Sequence, residues 1–538
     1  MRLPNREQAE LAGQRLYHFH GGLKLRHNKK ISCQIPTRRS KLPHRLYVPL
    51  LQHAGVQAEA MVVLGQAVLK GQPIARFGLP QSGLVHAPTS GTITAVAHHA
   101  ISHPSGEEGM AVIIKPDGRD LWCELKPLHL WQEADPGLLR QRIAEAGIVG
   151  LGGAVFPTST KVNQANEKGI HTLILNGAEC EPYISCDEML MREQPQRVVL
   201  GALVLQRASG ARQIIIAIED QMGEVSEILQ AAIESSGAKS IRLVKVTTIY
   251  PEGGEKQLIQ VLTGLEIPQG QRPADLGLLC QNVATAAAAA DAVIDGKPLI
   301  ERIVTVTGKG VKQPANLLAL LGTPISDLIE QCGGYTQDAA RLLLGGPMMG
   351  YALPSDANPV IKAANCILVL NRADVAREHD ELPCIRCGEC ARVCPAVLLP
   401  QQLQWDLRHG LFDEADKHGL NACIECGCCD FVCPSHIPLA QWFRFGKSEL
   451  HILAEERKAA ELARQRFEAR EQRLARIRQN REERLEEKKQ SRQVQQEKIT
   501  EALQRVQQRS APQSLKDTAE LPASDGQDLD PPKNEKAS

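Results

Sequence analysis

The chain has 538 residues, too long for one hydrophobic core and suited to roughly three or four domains. Its 62 basic and 62 acidic side chains cancel, which excludes the one-signed field of a nucleic-acid binder. No apolar run approaches the roughly 18–20 residues needed to cross a bilayer, so membrane contact is expected to go through a partner.

Residues 1–40 form an N-terminal segment, and residues 1–10 lack the apolar core of a signal peptide. Residues 41–125 read as a β domain: 62–69, 83–88 and 92–97 are brief apolar or alternating runs, punctuated by Gly71, Gly78, Gly83 and Gly91. The stretches around Lys70 and around Ala87-Pro88-Thr89-Ser90-Gly91 resemble biotinyl- and lipoyl-type barrel-sandwich domains. Those carry a modified lysine on a hairpin tip. No Met-Lys or Asp-Lys tip occurs here, so the module is expected to be structural.

Strands and helices alternate over residues 126–300, the rhythm of an α/β domain with a largely parallel sheet. Buried-type strands are predicted at 172–175 and 213–218, and helices at 223–235 and 284–290. A β-branched strand at 303–307 and a helix at 324–331 suggest a β-grasp insert over 301–335, followed by a connecting segment, 336–375.

Residues 376–446 hold two copies of one pattern: Cys384-x-x-Cys387-x-x-Cys390-x-x-x-Cys394-Pro395 and Cys423-x-x-Cys426-x-x-Cys429-x-x-x-Cys433-Pro434. Bacterial ferredoxins wrap a cubane [4Fe–4S] cluster with this run, the fourth cysteine crossing to the other cluster. Cys384, Cys387, Cys390 and Cys433 are therefore expected around one cube, and Cys423, Cys426, Cys429 and Cys394 around the other. Zinc favours two separated Cys-x-x-Cys pairs, and a disulfide framework suits a small secreted domain; neither fits. Cys428 falls out of pattern and is left unligated. The other unpaired cysteines point to a reducing, cytoplasmic compartment. A helix-like stretch at 403–411 between the runs favours an α-helical two-cluster ferredoxin fold. Residues 447–538 form a tail, helical and charged to about 508 and disordered from 510.

A second motif, Gly147 to Lys161, is rich in glycines that let backbone N–H groups approach a phosphate or a flat ring. A stretch of this kind is by itself also what a simple turn contains, and it is not a Rossmann fingerprint. The run Gly150-Leu151-Gly152-Gly153-Ala154-Val155-Phe156-Pro157-Thr158, with Lys161, resembles the flavin loop in the NADH-oxidising subunit of respiratory complex I. Asn176-Gly177-Ala178-Glu179-Cys180-Glu181-Pro182 and Gln281-Asn282-Val283-Ala284-Thr285 resemble two further segments of that subunit, in the same order. The resemblance implies a non-covalent FMN near Gly150, Gly152, Gly153 and Lys161. It gives Asn176, Asn282 and Thr285 as polar contacts, and Glu179 and Glu181 lining the pocket toward the nicotinamide nucleotide. Ala178 stands where that family has Asp, and Gly253-Gly254-Glu255-Lys256 keeps only Glu255 of a glutamate pair.

The full order of modules, with Gly21-Gly22-Leu23 and Gly345-Gly346-Pro347-Met348-Met349-Gly350, resembles the C subunit of the Rnf (Rsx) electron-transport complex over about residues 15–446. That resemblance implies a peripheral subunit on the cytoplasmic face of the bacterial inner membrane. It would pass electrons between NAD(H) and membrane subunits that move Na⁺ or H⁺, beside an iron–sulfur partner subunit, through FMN and two [4Fe–4S] clusters. No side chain is expected to act as acid, base or nucleophile. The alternatives are the diaphorase part of a soluble hydrogenase or formate dehydrogenase, and a non-catalytic iron–sulfur wire or scaffold.

Overall fold

Apolar side chains at strand and helix spacing bury themselves in several small cores of the computed structural model, which describes residues 16–52, 57–77, 83–375 and 380–509. The expectations for residues 1–10 and for disorder over 510–538 lie outside the described residues. Residues to His451 form one unit, and a second begins at Ile452.

The first module is a barrel sandwich. One antiparallel sheet runs Leu46–Pro49, Glu108–Pro116, Gly91–Ala100, Ala67–Val68; the facing one runs Glu59–Ala60, Pro73–Arg76, Leu84–His86. Leu46, Val48, Ile74, Ile93 and Ile114 fill the space between them. The strand expected over 62–69 is interrupted. Val63 and Leu64 are 68% and 73% exposed, and the chain turns at Gly65 (φ 81°). A continuous apolar run does not state which of its members face inward. Lys70 is buried, paired with Asp120 at 2.6 Å and packed over the Trp122 ring, in keeping with a structural module.

The second module has an all-parallel sheet in the order Ile241–Val246, Gln213–Glu219, Thr172–Gly177, Leu278–Asn282. Its strands are nearly continuous apolar runs because helices cover both faces. The chain leaves Thr172–Gly177 toward one neighbour and later returns to the other side with Leu278–Asn282. Order therefore switches between these two strands, where open parallel sheets form a crevice at their carboxyl ends. Helix Pro195–Ser209 crosses the alanine-rich helix Val283–Ile294 at very short range: a Cβ on Gly201 would lie 1.9 Å from the Ala286 carbonyl oxygen. Gly201→Ala must push the two backbones apart and is expected to cost roughly 1–3 kcal/mol, read as a lower thermal midpoint.

The third module is larger than its predicted span. Strands Arg38–Arg39, Ala315–Leu320, Glu301–Thr307, Cys366–Asn371, Ala339–Leu344 and Tyr351–Ala352 form one six-stranded sheet. The stretch 336–375 is thus not a connector. Its Leu344, Ile367 and Val369 bury against Val304, Val306 and Leu317. In the fourth module helices Pro400–Arg408 and Phe412–Lys417 occupy the interval between the cysteine runs, where one stretch at 403–411 was expected; Leu403, Leu407, Leu420 and Phe443 form its core. No strand occurs among described residues 380–446. Helix Leu439–Arg509 follows, and its part from Ile452 is almost wholly solvent-exposed, with pairs such as Arg464–Glu461 at 3.0 Å.

Candidate functional site

Each cysteine run folds as the same short device. Arg386 and Gly388 in the first, and Glu425 and Gly427 in the second, take left-handed backbone angles. They curl the chain so that two cysteines precede, and the third sits on, a single helical turn, Glu389–Arg392 or Cys428–Phe431. Backbone N–H groups then donate to sulfur: Arg386 to Cys384 Sγ at 3.4 Å, Glu425 to Cys423 Sγ at 3.3 Å and Leu398 to Cys394 Sγ at 3.4 Å. The two runs trade their last cysteine. One hollow is lined by Cys394, Cys423, Cys426 and Cys429, and the other by Cys384, Cys387, Cys390 and Cys433. All sixteen cysteines are free thiols. Four converging sulfurs, with N–H donors that favour thiolate charge, fit a cubane in each hollow. Cys428 is buried and also lines the hollow of Cys394, Cys423, Cys426 and Cys429. Cys384 and Cys387 are exposed, whereas Cys394, Cys426 and Cys429 are buried.

The glycine loop lies over the sheet crevice. A bridge between Val149 and Pro157 closes it, with Gly150 N donating to Phe156 O at 2.9 Å and Val155 N to Gly150 O at 3.2 Å. Gly153 (φ 117°) makes the turn. Leu151 N donates to Thr285 Oγ1 at 2.8 Å, and a Cβ on Gly152 would stand 3.2 Å from Asn282 Cβ. Asn282 ends its strand opposite Asn176 and caps the next helix, accepting from Ala284 N at 2.8 Å. Asn176 Nδ2 donates to Gly253 O at 2.8 Å. Lys161 Nζ reaches Glu255 Oε1 at 2.5 Å and Cys280 O at 2.7 Å. Gly150, Gly152, Gly153, Lys161, Asn176, Glu255, Asn282 and Thr285 thus converge. Among the described residues, no group accepts from the N–H of Gly152, Gly153 or Ala154. Three successive free donors at a glycine turn are a cradle for an anionic or hydrogen-bonding group, which fits a flavin nucleotide.

The two glutamates have other partners. Glu179 is buried; Lys29 Nζ donates to its Oε2 at 3.3 Å and Asp187 N to its Oε1 at 2.9 Å. Its carboxylate therefore ties the N-terminal segment to the start of helix Cys186–Glu193. Burial acts to lower the Lys29 pKa, but Glu179 and Glu219 outweigh it and hold the ammonium above the ordinary lysine range. Burial first, and Glu179 second, push the Asp187 carboxyl up to about 7. Glu181 Oε1 accepts from Met348 N at 2.7 Å and Met349 N at 3.1 Å, pinning the Gly345–Gly350 turn. Lys29 could not be found from sequence, because its partners lie 150 or more residues away and no local pattern marks it.

Tyr250 joins the two regions. Its hydroxyl donates to Cys426 O at 2.6 Å, and it packs in a buried cluster with Cys180, Cys426 and Cys428. Three residues on, Gly253 N donates to Cys180 Sγ at 3.2 Å. Between them sits Glu252, almost wholly buried, with Oε2 unpartnered among the described residues. Burial, then Glu219 and Asp220, raise its carboxyl from 4.5 to about 8. The folded state holds this proton more tightly, so the contribution is intact below pH 4.5 and lost as pH rises through about 8. Glu252→Gln should match the parent near pH 5 and melt higher at pH 9, by about 2–4 °C per kcal/mol relieved.

Three family models match the chain: the Nuo51 FMN-binding domain over residues 143–291, the RnfC barrel sandwich hybrid domain over 17–119 and the SLBB domain over 303–352. A protein of Pseudomonas aeruginosa described as the C subunit of an ion-translocating oxidoreductase complex is 46% identical over 461 residues, 86% of this chain and 59% of that protein. One of the same description from Yersinia pestis bv. Antiqua is 45% identical over 462 residues, 86% of this chain and 74% of that protein. The chain spans 57% to 66% of the length of four curated relatives that it matches. The solved structure of an NAD⁺-reducing [NiFe]-hydrogenase in the H2-reduced state is similar with a TM-score of 0.44 and 20% identity, over 56% of this chain and 62% of that one.

Proposed function

Because the chain belongs to the family formed by the C subunits of ion-translocating oxidoreductase complexes, we propose that it is the peripheral subunit through which electrons pass between NAD(H) and the membrane subunits of such a complex. Its cofactors in this reading are one FMN and two [4Fe–4S] clusters. FMN, when bound, supplies two-electron exchange with a nicotinamide and one-electron exchange with an iron–sulfur centre.

The protein's own contribution is to hold, orient and insulate. Gly152, Gly153 and Ala154 offer their N–H groups to the flavin nucleotide, and Lys161, paired with Glu255, adds a cation to the site. Asn176, Asn282 and Thr285 keep the strand ends and the loop in register. Glu179 and Glu181 act from behind, fixing a helix start and the Gly345–Gly350 turn so that the pocket wall facing the nicotinamide keeps its shape.

One observation carries the reading: Tyr250 links the flavin-side loop directly to the backbone of Cys426. That bond lies in a buried cluster of Cys180, Tyr250, Cys426 and Cys428, so the two sites meet through packed protein. The centre of Cys394, Cys423, Cys426 and Cys429 would then be the inner one. The exposed centre of Cys384, Cys387, Cys390 and Cys433 would exchange electrons with an iron–sulfur partner. No helix among the described residues is long and apolar enough to cross a membrane, so attachment at the cytoplasmic face is assigned to the membrane subunits.

The test is an absorbance spectrum of the anaerobically purified full chain before and after NADH. Flavin and iron–sulfur absorbance should both be present and both fall. Protein that carries iron but no flavin, and that stays unchanged with NADH, would leave only the wire or scaffold.

A further inference from the structure

The glycine loop is gripped from its rear by two cations that belong to the third module. Arg302 is the second residue of the central strand Glu301–Thr307, and Lys362 lies just before strand Cys366–Asn371. Both are buried, at 5% and 3% exposure. Arg302 Nη2 donates to Leu151 O at 3.3 Å, and Lys362 Nζ donates to Gly147 O at 2.7 Å. Arg302 Nη1 also donates to Lys362 O, so the two grips are joined. Neither cation has a carboxylate at ion-pair distance among the described residues; Arg302 also faces the Cys186 thiol, with Asp187 and Glu179 acting at longer range. Burying two such charges is costly unless something they hold or face repays it.

Peptide geometry says what they hold. In a trans peptide the N–H points away from the C=O. With Leu151 O turned toward Arg302, the Gly152 N–H is aimed to the opposite side. Leu151 N, in the preceding peptide, is held on Thr285 Oγ1, so the backbone entering Leu151 is tied down as well. The next two N–H groups are free as well, and a Cβ on Gly153 would meet nothing within 4 Å, so that face is open. Unpaired backbone donors on the loop, with positive charge behind the Leu151 carbonyl, suit a compact dianion.

We propose that Arg302, joined to Lys362, is a positioning residue that sets the glycine loop to recognise the phosphate of the flavin nucleotide, so that the third module supplies the rear wall of this site. The proposal rests on the flavin reading above, and adds which end of the ligand the loop reads and what aims it.

Riboflavin is the natural probe, since it has the ring but no phosphate. The full chain, with its iron–sulfur centres loaded and its flavin removed, is titrated with FMN and with riboflavin. The parent should prefer FMN. Arg302→Met should weaken FMN about tenfold or more, the worth of a hydrogen bond to a charged group, and leave riboflavin within about twofold. Arg302→Lys should fall between, because an ammonium keeps the charge but cannot span both carbonyls. An unchanged FMN-to-riboflavin ratio in Arg302→Met of full iron content overturns the proposal, as does equal weakening of both ligands, which marks a merely structural role. Should Arg302→Met fail to fold, Arg302→Lys decides by the same ratio. If the parent binds FMN yet the ratio never moves, only this proposal falls. If the parent binds neither ligand, the flavin reading falls with it.

Discussion

Changing Cys433 to Ser should remove the iron held by Cys384, Cys387 and Cys390 and spare the iron held by its own run. Cys433 lines the hollow of the first run, and Cys394 that of the second. The crossover follows from the short helical turns Glu389–Arg392 and Cys428–Phe431, which pack against each other and carry each chain across its partner before the Cys-Pro step. Serine is a far poorer ligand for iron than thiolate, so iron should fall from about eight atoms per chain to about four. Electron paramagnetic resonance of the reduced protein identifies the surviving centre. In Cys433→Ser it should match the centre that survives in Cys387→Ser, and Cys394→Ser should match Cys426→Ser. Pairing within runs, with Cys433→Ser resembling Cys426→Ser, would refute the exchange. Cys394→Ser should also loosen the N-terminal segment. His20 Nδ1 bonds Cys394 O at 3.0 Å, and Gly22 N donates to Val393 O at 3.0 Å, so that segment is docked on the turn the ligand shapes.

Gly152→Val should empty the flavin site while leaving iron at its full level. The first side-chain carbon would already lie 3.2 Å from Asn282 Cβ. Two further methyls must either displace Asn282, which caps its helix and donates to Asp187 Oδ2 at 2.6 Å, or project into the crevice. Overpacking of this kind costs about 1–3 kcal/mol, equivalent to roughly five- to 150-fold in flavin affinity. The iron–sulfur module has its own core around Leu403, Leu407 and Phe443, so its centres should load normally. Flavin fluorescence after acid release, set beside iron content, checks both halves. A parent-like flavin content would remove the glycine loop from the site.

Several parts of this arrangement were readable in the linear chain because they depend on spacing alone. The intervals from Cys384 to Cys394 and from Cys423 to Cys433 dictate how the backbone must curl, whatever surrounds it. The apolar runs around Ile174 and Ile216 announce a sheet covered on both faces. The glycines from Gly147 to Gly153 mark a loop that something approaches closely. The β strands of the third module beyond residue 335 were missed, since Leu344 and Ile367 show inward burial only once Val304 and Leu317 are beside them. Arg38–Arg39 was missed for the same reason. Its pairing with Leu317 and Leu318 spans about half of the chain, and an exposed two-residue strand carries no periodicity.

The sequence by itself determined the chemistry available: two sets of four thiols, a cradle of backbone donors, and the order of the modules that bear them. Those properties are local, set by residue type and by separations of a few positions. The fold alone decided how they are joined. Tyr250 reaches Cys426 across 176 positions, Lys29 reaches Glu179 across 150, and Arg302 reaches Leu151 across 151. Each is a buried polar group whose role is created by the partner it meets, and partners that distant are chosen by the packing of whole modules rather than by any pattern along the chain.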